Sequence, residues 1–385
     1  MKLSARSCLF CSWTLLFSLL VTRTTSFLFD KNGNRTMEIF DIDLDLPPVD
    51  RWKGVMTQRK HSFRHIIDWI VETEIPKDIL AQITAVLEGL KDFWPSFDYR
   101  EELKGVAEVT GISPELVLLL NVHYELRAGC TSIVARSQDG TVWHGRNLDY
   151  DIPHLQDLAI HVKFFRRGEF LYEGTTYAGY IGLLTGMKPK AFSLSMDARV
   201  TGKQRWELLL ELLISKGKAA AYPFLFRDVF EQIDSYDRAL QVLQNAPMLA
   251  PAYAIIAGAE QGQGAVVTRD MNAAVDTWTT SEKEWFLVET NDDHWKPPDD
   301  TRRNAAIQNM KRYNPETIGS DSLMDVMNQY PTLNSMTTFT TVMSAGNDEY
   351  RSILQNLNQN GGDNHFDKTK SLRAAEQYKE AVIVE

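Results

Sequence analysis

Cysteine is scarce in this chain of 385 residues, with three in all, Cys8, Cys11 and Cys130. So few cannot staple a small loop-rich scaffold. With 44% hydrophobic and 24% charged side chains the chain is instead long enough for one large or two small cores. Basic charge is short as well: 41 Lys and Arg against 51 Asp and Glu leave a formal net charge of −10. That excludes phosphate binding by a basic surface and takes nucleic acid off the list of partners. Beyond the N-terminus no window is long and apolar enough to span a bilayer. Metal-ligand spacing is missing too, since His144, His154 and His161 read as ordinary strand residues.

What is present begins with Lys2 and Arg6, followed by an apolar run over 8–21 and by Thr24, Thr25 and Ser26. That is the layout of a secretory signal peptide, too short and too interrupted for a membrane span, with cleavage expected near Ser26. Removing residues 1–26 takes away Lys2, Arg6 and Arg23 and no acid, leaving a mature chain near −13. It also removes two of the three cysteines. A lone thiol in a secreted chain is an intermolecular bridge, an inert buried residue or a nucleophile. The sequon Asn34-Arg35-Thr36 marks Asn34 as a glycosylation site in the same pathway.

Residues 27–60 read as polar and irregular. From His61 the spacing of Phe63, Ile66, Ile67, Ile70 and Val71 predicts a helix. A second amphipathic segment follows Pro76, carried by Ile79 to Leu90, and a third helix over 113–126 opens on the capping signal Ser113-Pro114-Glu115. The first 129 residues therefore read as helices and loops. Their apolar stripes pack a core, and the alternative is that the face bearing Trp69, Ile70, Phe93 and Trp94 makes peripheral contact with a membrane surface. At Cys130 the period changes to two, and the Asp139-Gly140 turn predicts a hairpin over 131–144. Further strands are expected at 159–165, 170–176, 192–196, 252–257, 265–268, 285–289 and 337–343, with helices at 206–216, 224–244 and 303–312. Strands and helices cluster without a repeating strand-helix unit, which favours α+β layers over a doubly wound sheet. From about residue 356 the chain, rich in Asn, Gln, Gly and Lys, reads as a mobile tail.

Gly129 leaves the peptide bond before Cys130 unhindered, so that the thiol can attack the preceding carbonyl, and hydrolysis of the resulting thioester leaves Cys130 as a new N-terminus. A cysteine opening a strand is otherwise a small buried hydrophobe. The downstream residues shift the balance. Gly129-Cys130-Thr131-Ser132, His144-Gly145-Arg146-Asn147-Leu148-Asp149-Tyr150, Thr175 to Gly186, Val288-Glu289-Thr290-Asn291, His294-Trp295-Lys296-Pro297 and Thr340 to Gly346 form an ordered set. The set resembles the N-terminal-nucleophile hydrolases of the acid ceramidase and N-acylethanolamine acid amidase family, over roughly residues 40–350.

That resemblance implies a four-layer αββα fold. It implies scission between Gly129 and Cys130 into a helical α subunit, 27–129, and a catalytic β subunit, 130–385. Cys130 matches the nucleophile, and Arg146 and Asp149 match paired charges beside it. Asn291 matches the oxyanion donor, and Arg303 a later arginine, with Arg302 competing because Asp299-Asp300-Thr301 runs one residue longer than the pattern. Ala198 stands where a glutamate is common, with Asp197 as the residue to replace it. No metal or organic cofactor is implied. The motifs look closer to the N-acylethanolamine acid amidase branch, as does the single mature cysteine, since the ceramidase branch resembles a disulfide-linked pair. The implied reaction is hydrolysis of a long-chain N-acylethanolamine in the lysosome, with ceramide as the alternative lipid amide. A lipid-binding protein of the same fold without turnover is the reading from another class. An α-amine with a pKa of about 8 is protonated in an acidic compartment, so activity is expected to rise as pH falls toward about 5.

Overall fold

The computed structural model describes residues 35–73, 75, 80–81, 84–85, 88–89, 95–123, 129–199, 219–298 and 300–355. Two short strands, β1 (Arg35–Thr36) and β2 (Ile39–Asp43), precede the helices α1 (Lys53–Thr73), α2 (Phe97–Thr110) and α3 (Pro114–His123). Six strands follow: β3 (Gly129–Arg136), β4 (Val142–Asp149), β5 (Ala159–Arg166), β6 (Glu169–Tyr177), β7 (Thr185–Lys188) and β8 (Phe192–Ala198). After α4 (Tyr222–Gln232) and α5 (Tyr236–Asn245) come β9 (Ala252–Gly258), β10 (Gly264–Arg269), β11 (Ala274–Thr279) and β12 (Phe286–Glu289). The series closes with α6 (Arg302–Met310), α7 (Ser320–Met327), β13 (Thr337–Ser344) and β14 (Glu349–Leu354).

The strands form a six-stranded sheet, β1-β14-β13-β4-β3-β12, and an eight-stranded sheet, β11-β10-β9-β8-β7-β6-β5-β2. Alternation along β3 and β4 shows why the sheets stack. Val134 and Val142 face the second sheet and pack on Tyr253, Ile255 and Val266. Ile133, Ala135 and Trp143 face the other way, onto Ala306 and Met310 of α6 and Leu323 and Met327 of α7. Covered on both faces, β4 is buried along its whole length. The outer face of the second sheet carries the stacked rings Phe164, Tyr172 and Phe192, with Phe230 of α4 laid against the last two. Helix, sheet, sheet and helix give the four-layer αββα order expected from sequence. Gly145 is needed where α7 presses on β4, because a methyl group there would lie 3.1 Å from Leu323.

Several expectations are corrected. Residues 27–60 contain β2, which joins β5 in parallel, and α1 begins at Lys53 rather than His61. In Ile39-Phe40-Asp41-Ile42-Asp43 only Ile42 is fully buried, so an edge strand with two acids carries little apolar signal. The first 129 residues are therefore not helices and loops alone. The helix expected over 224–244 is two, interrupted where Ile233 is extended (φ −124°, ψ 134°). Of the face considered for membrane contact, Ile70 is a core residue and Trp69 packs against that core, while Phe93 and Trp94 lie outside the described residues. No single described helix is long and apolar enough to cross a membrane. The signal segment, Asn34, the expected helix at 206–216, most of 76–90 and the tail from 356 also lie outside the described residues.

Candidate active site

β3 opens with Gly129 and Cys130, and its register against β4 pairs Gly129 with Asp149, Cys130 with Leu148 and Ser132 with Arg146. Cys130 is fully buried, its thiol directed at the Met196 carbonyl of β8 at 3.8 Å. The Cys130 backbone N–H donates to Asn291 Oδ1 at 3.0 Å. The Cys130 carbonyl accepts from Arg302 Nη1 at 2.7 Å. Arg302 also donates to Asn291 Oδ1 (2.7 Å) and to Asp149 Oδ2 (3.2 Å), and Asp300 anchors its far edge. The Asn291 amide itself donates to the Ala198 carbonyl at 2.8 Å.

Arg146 and Asp149, read from sequence as neighbouring charges, do not pair with each other. A spacing of three in a strand sends them to opposite faces. Arg146 points between the sheets and makes a buried ion pair with Asp197, at 2.5 Å, which also accepts from Ser132 Oγ at 2.8 Å. Asp149 points out of that layer, where Thr337 Oγ1 (2.6 Å), Asn334 Nδ2 (2.9 Å) and Arg302 donate to it. Burial pushes the Asp149 carboxyl up, opposed chiefly by Arg302. Burial pushes the Asp197 carboxyl up, and the Arg146 guanidinium bound to it pulls it back toward the ionised form.

Arg303 is placed elsewhere. Its guanidinium donates to the carbonyls of Asp292, Asp293 and Lys296, bracing the loop that carries Asn291, while Arg302 is the arginine on Cys130. Asp197 was legible only as a replacement for Ala198. The stronger signal is Ser193, Ser195 and Asp197, three polar residues at strand spacing that alternate with apolar ones along β8. His144 sits in the same inter-sheet layer, with Nε2 2.8 Å from Ser195 Oγ and Nδ1 3.0 Å from Ser193 Oγ. Burial drops its pKa to about 3, so the ring is neutral. Among the described residues no cluster of His, Cys, Asp and Glu is placed to hold a metal.

Beyond Asp149 the chain enters an apolar cavity of about 50 Å³. Phe63, Ile66, Ile67 and Ile70 of α1 form one wall, facing Tyr150, Ile152, Leu155 and Tyr177. Gly179 shapes this wall: its φ is +89°, and an added Cβ would lie 2.1 Å from the Phe63 ring. Asn121 of α3 fixes the turn, donating to the Gly179 carbonyl at 3.0 Å and accepting from the Ile181 N–H at 2.8 Å.

Residues 130–296 match the model of the linear amide C–N hydrolases, choloylglycine hydrolase family, and the match begins at Cys130. Residues 35–97 match the model described as the beta subunit of N-acylethanolamine-hydrolyzing acid amidase. The chain is 33% identical to an acid ceramidase of Macaca fascicularis, over 82% of this chain and 85% of that protein. It is also 33% identical to the N-acylethanolamine-hydrolyzing acid amidase of Mus musculus, over 83% and 90% respectively. A solved structure of the Caenorhabditis elegans ortholog of that amidase is 37% identical, with a TM-score of 0.52, covering 56% of this chain and 93% of that one.

Proposed function

Because the chain belongs to the family of acid ceramidase and N-acylethanolamine-hydrolyzing acid amidase, which are linear amide hydrolases, we propose that it is a self-processing cysteine amidase acting on long-chain N-acylethanolamines. The observation that carries this reading is the Cys130 peptide, its N–H on Asn291 and its carbonyl on Arg302, with the buried thiol directed at the Met196 carbonyl. In processing, the thiol attacks the Gly129 carbonyl carbon. The C–N bond breaks and the thiol proton passes to nitrogen, giving a thioester and a free α-amine. Water then releases the Gly129 carboxylate and restores the thiol. The products are an α subunit ending at Gly129 and a β subunit beginning at Cys130.

In turnover the same thiol attacks the substrate amide. Asn291 donates to the oxyanion, a role worth about 3–4 kcal/mol. The Cys130 ammonium protonates the leaving ethanolamine, and water then frees the fatty acid. Arg302, held to the Cys130 carbonyl and to Asp149, keeps the new N-terminus in place. Arg146 and Asp149 act through separate partners, and Arg303 acts by bracing the Asn291 loop. The apolar cavity at Tyr150 is the entrance for the acyl chain. Its volume of about 50 Å³ is far below the roughly 300–1,000 Å³ of a ligand pocket, so side chains of α1 must move on binding.

The ethanolamide is preferred over ceramide because the chain after residue 26 has one cysteine and cannot form the disulfide of the ceramidase-like pair. The N-terminal apolar segment and the Asn34 sequon support entry to the secretory pathway, with the lysosome as destination. The reading is tested by comparing turnover of palmitoylethanolamide with that of a short-chain ceramide at pH 5, with Cys130→Ala as the blank. Faster release from the ethanolamide is expected. Faster release from ceramide moves the protein to the other branch, and equal, Cys130-independent rates remove the amidase reading.

A further inference from the structure

Register aligns Glu289, Ser132 and Arg146 in one row across β12, β3 and β4, and Asp197, Tyr253 and Thr268 in a row across β8, β9 and β10. The Ser132 to Asp197 hydrogen bond sets the rows face to face, and all six side chains are buried. This layer contains two carboxyls and one guanidinium. Arg146 is bound to Asp197, whereas Glu289 Oε1 accepts from the Thr290 N–H at 2.9 Å. Glu289 Oε2, Asp197 Oδ2 and Thr268 Oγ1 have no hydrogen-bond partner among the described residues.

A carboxylate removed from water and given so little compensation is costly, and such a group takes up a proton instead. Glu289 Oε2 then carries an O–H. In the opposing row Asp197 Oδ2 is an acceptor for it, directly or through one buried water, and Thr268 Oγ1 is within reach only through a water. We propose that Glu289 is a positioning residue that stays protonated, forming with Asp197 a buried carboxyl pair that carries one proton and leaves the Arg146 guanidinium to Asp197 beside Cys130. The inference rests on the nucleophilic role proposed for Cys130.

The remaining charged and titratable groups near the pair are Arg303, Asp293 and Tyr253 around Glu289, Arg302 near Asp197 with Asp149 on the other face of β4, and the neutral His144 ring in the same layer, linked through Ser195 to Ser132. Burial pushes Glu289 to about 8, in the direction the geometry requires. Loss of its proton in alkali sets a second anion beside Asp197, draws Arg146 off and loosens the layer under the nucleophile.

The test has two arms. In the intact Cys130→Ala chain at pH 7, infrared difference spectra between Glu289 and Glu289→Gln proteins should show a carboxylic acid C=O stretch that titrates near pH 8. Absence of that band at pH 7 would overturn the proposal. In the self-processed enzyme, Glu289→Gln should move the alkaline limb of the turnover profile up by a unit or more, and an unmoved limb would overturn it as well. If Glu289→Gln fails to fold, ¹³C-glutamate labelling of the Cys130→Ala chain replaces it, because the isotope shift separates a glutamic acid band from an aspartic one. If the wild-type chain neither cleaves nor turns over, the proposed function fails, and the infrared arm still decides the state of Glu289.

Discussion

At the scale of single residues, the two adjacent arginines separate most sharply. Arg302 binds the Cys130 carbonyl, Asn291 and Asp149 through a planar fork that an ammonium cannot copy. Arg302→Lys should therefore lower processing and turnover by about 100-fold or more, the scale of losing an oriented donor. Arg303→Lys should act mainly on the stability of the Asn291 loop, and rates from both variants at matched folded fraction check this. Reading the sequence alone favoured Arg303, because the extra residue in Asp299-Asp300-Thr301 shifts any count along the chain. Only the turn into α6 decides which side chain faces the cysteine. Cys130 and Asn291 were legible only as members of the ordered set of motifs that carries the family resemblance. Asp197 was legible only as the stand-in beside Ala198, because a lone aspartate at a strand end is ordinary until its facing arginine is known.

Titration at the residue scale has a definite sign. Burial raises Glu289 from 4.5 to about 8 in the folded chain, so the folded state binds more protons than the unfolded one between these values. Its contribution is fully present below about pH 4.5 and is lost as pH rises toward 8. Glu289→Gln in the Cys130→Ala chain should gain stability over its parent on going from pH 5 to 7.5, by up to about 3 kcal/mol. His144 works the other way: its depressed pKa contributes stability above about 6.5 that is lost as pH falls toward 3. Denaturant midpoints at the two pH values distinguish these contributions.

At the scale of elements, the hairpin β3–β4 was legible in outline because Asp139-Gly140 marks its turn and apolar residues line its strands. Its ends were not. Gly129 and Arg146 to Asp149 belong to the ladder because helices and a second sheet cover both faces, which local propensity does not encode. β14 was missed for a similar reason, since Glu349-Tyr350-Arg351-Ser352 is only half-buried and polar, and its pairing with β13 decides its form. The turn at Gly179 ties β6 to α1 and α3, so Gly179→Ala is a test at this level. It forces a left-handed backbone on alanine, about 1–2 kcal/mol, and drives a methyl group into Phe63. A loss of stability of about 2 kcal/mol or more, with weakened binding of long acyl substrates, is the expected result from unfolding curves and KM values.

At the scale of the whole molecule, the N-terminal segment is built into the catalytic body. β1 extends one sheet beside β14, β2 extends the other beside β5, and α2 is locked to α4 by charge. Glu102 of α2, wholly buried, accepts from Trp52 Nε1 at 2.7 Å, Arg51 at 2.9 Å and Arg227 of α4 at 2.5 Å. Arg227 is equally buried, donates to the Ile181 carbonyl at 2.9 Å, and lies over the rings of Tyr99 and Phe164. Removing one partner of such a pair strands the other charge. Glu102→Ala should cost about 3–5 kcal/mol in the intact chain. After scission it should also release the N-terminal piece, seen as two peaks in gel filtration where the wild type gives one. None of this lock was visible in sequence, because Glu102 and Arg227 are 125 residues apart and each looks like a surface charge on its own helix.

Division of the molecule at Cys130 is read most directly from the mass of the purified chain after incubation at pH 5. The expected result is two fragments, the larger beginning at Cys130, and a single uncut mass for Cys130→Ala. A wild-type chain that stays whole, or one that is cut elsewhere and equally in the Cys130→Ala variant, would contradict it.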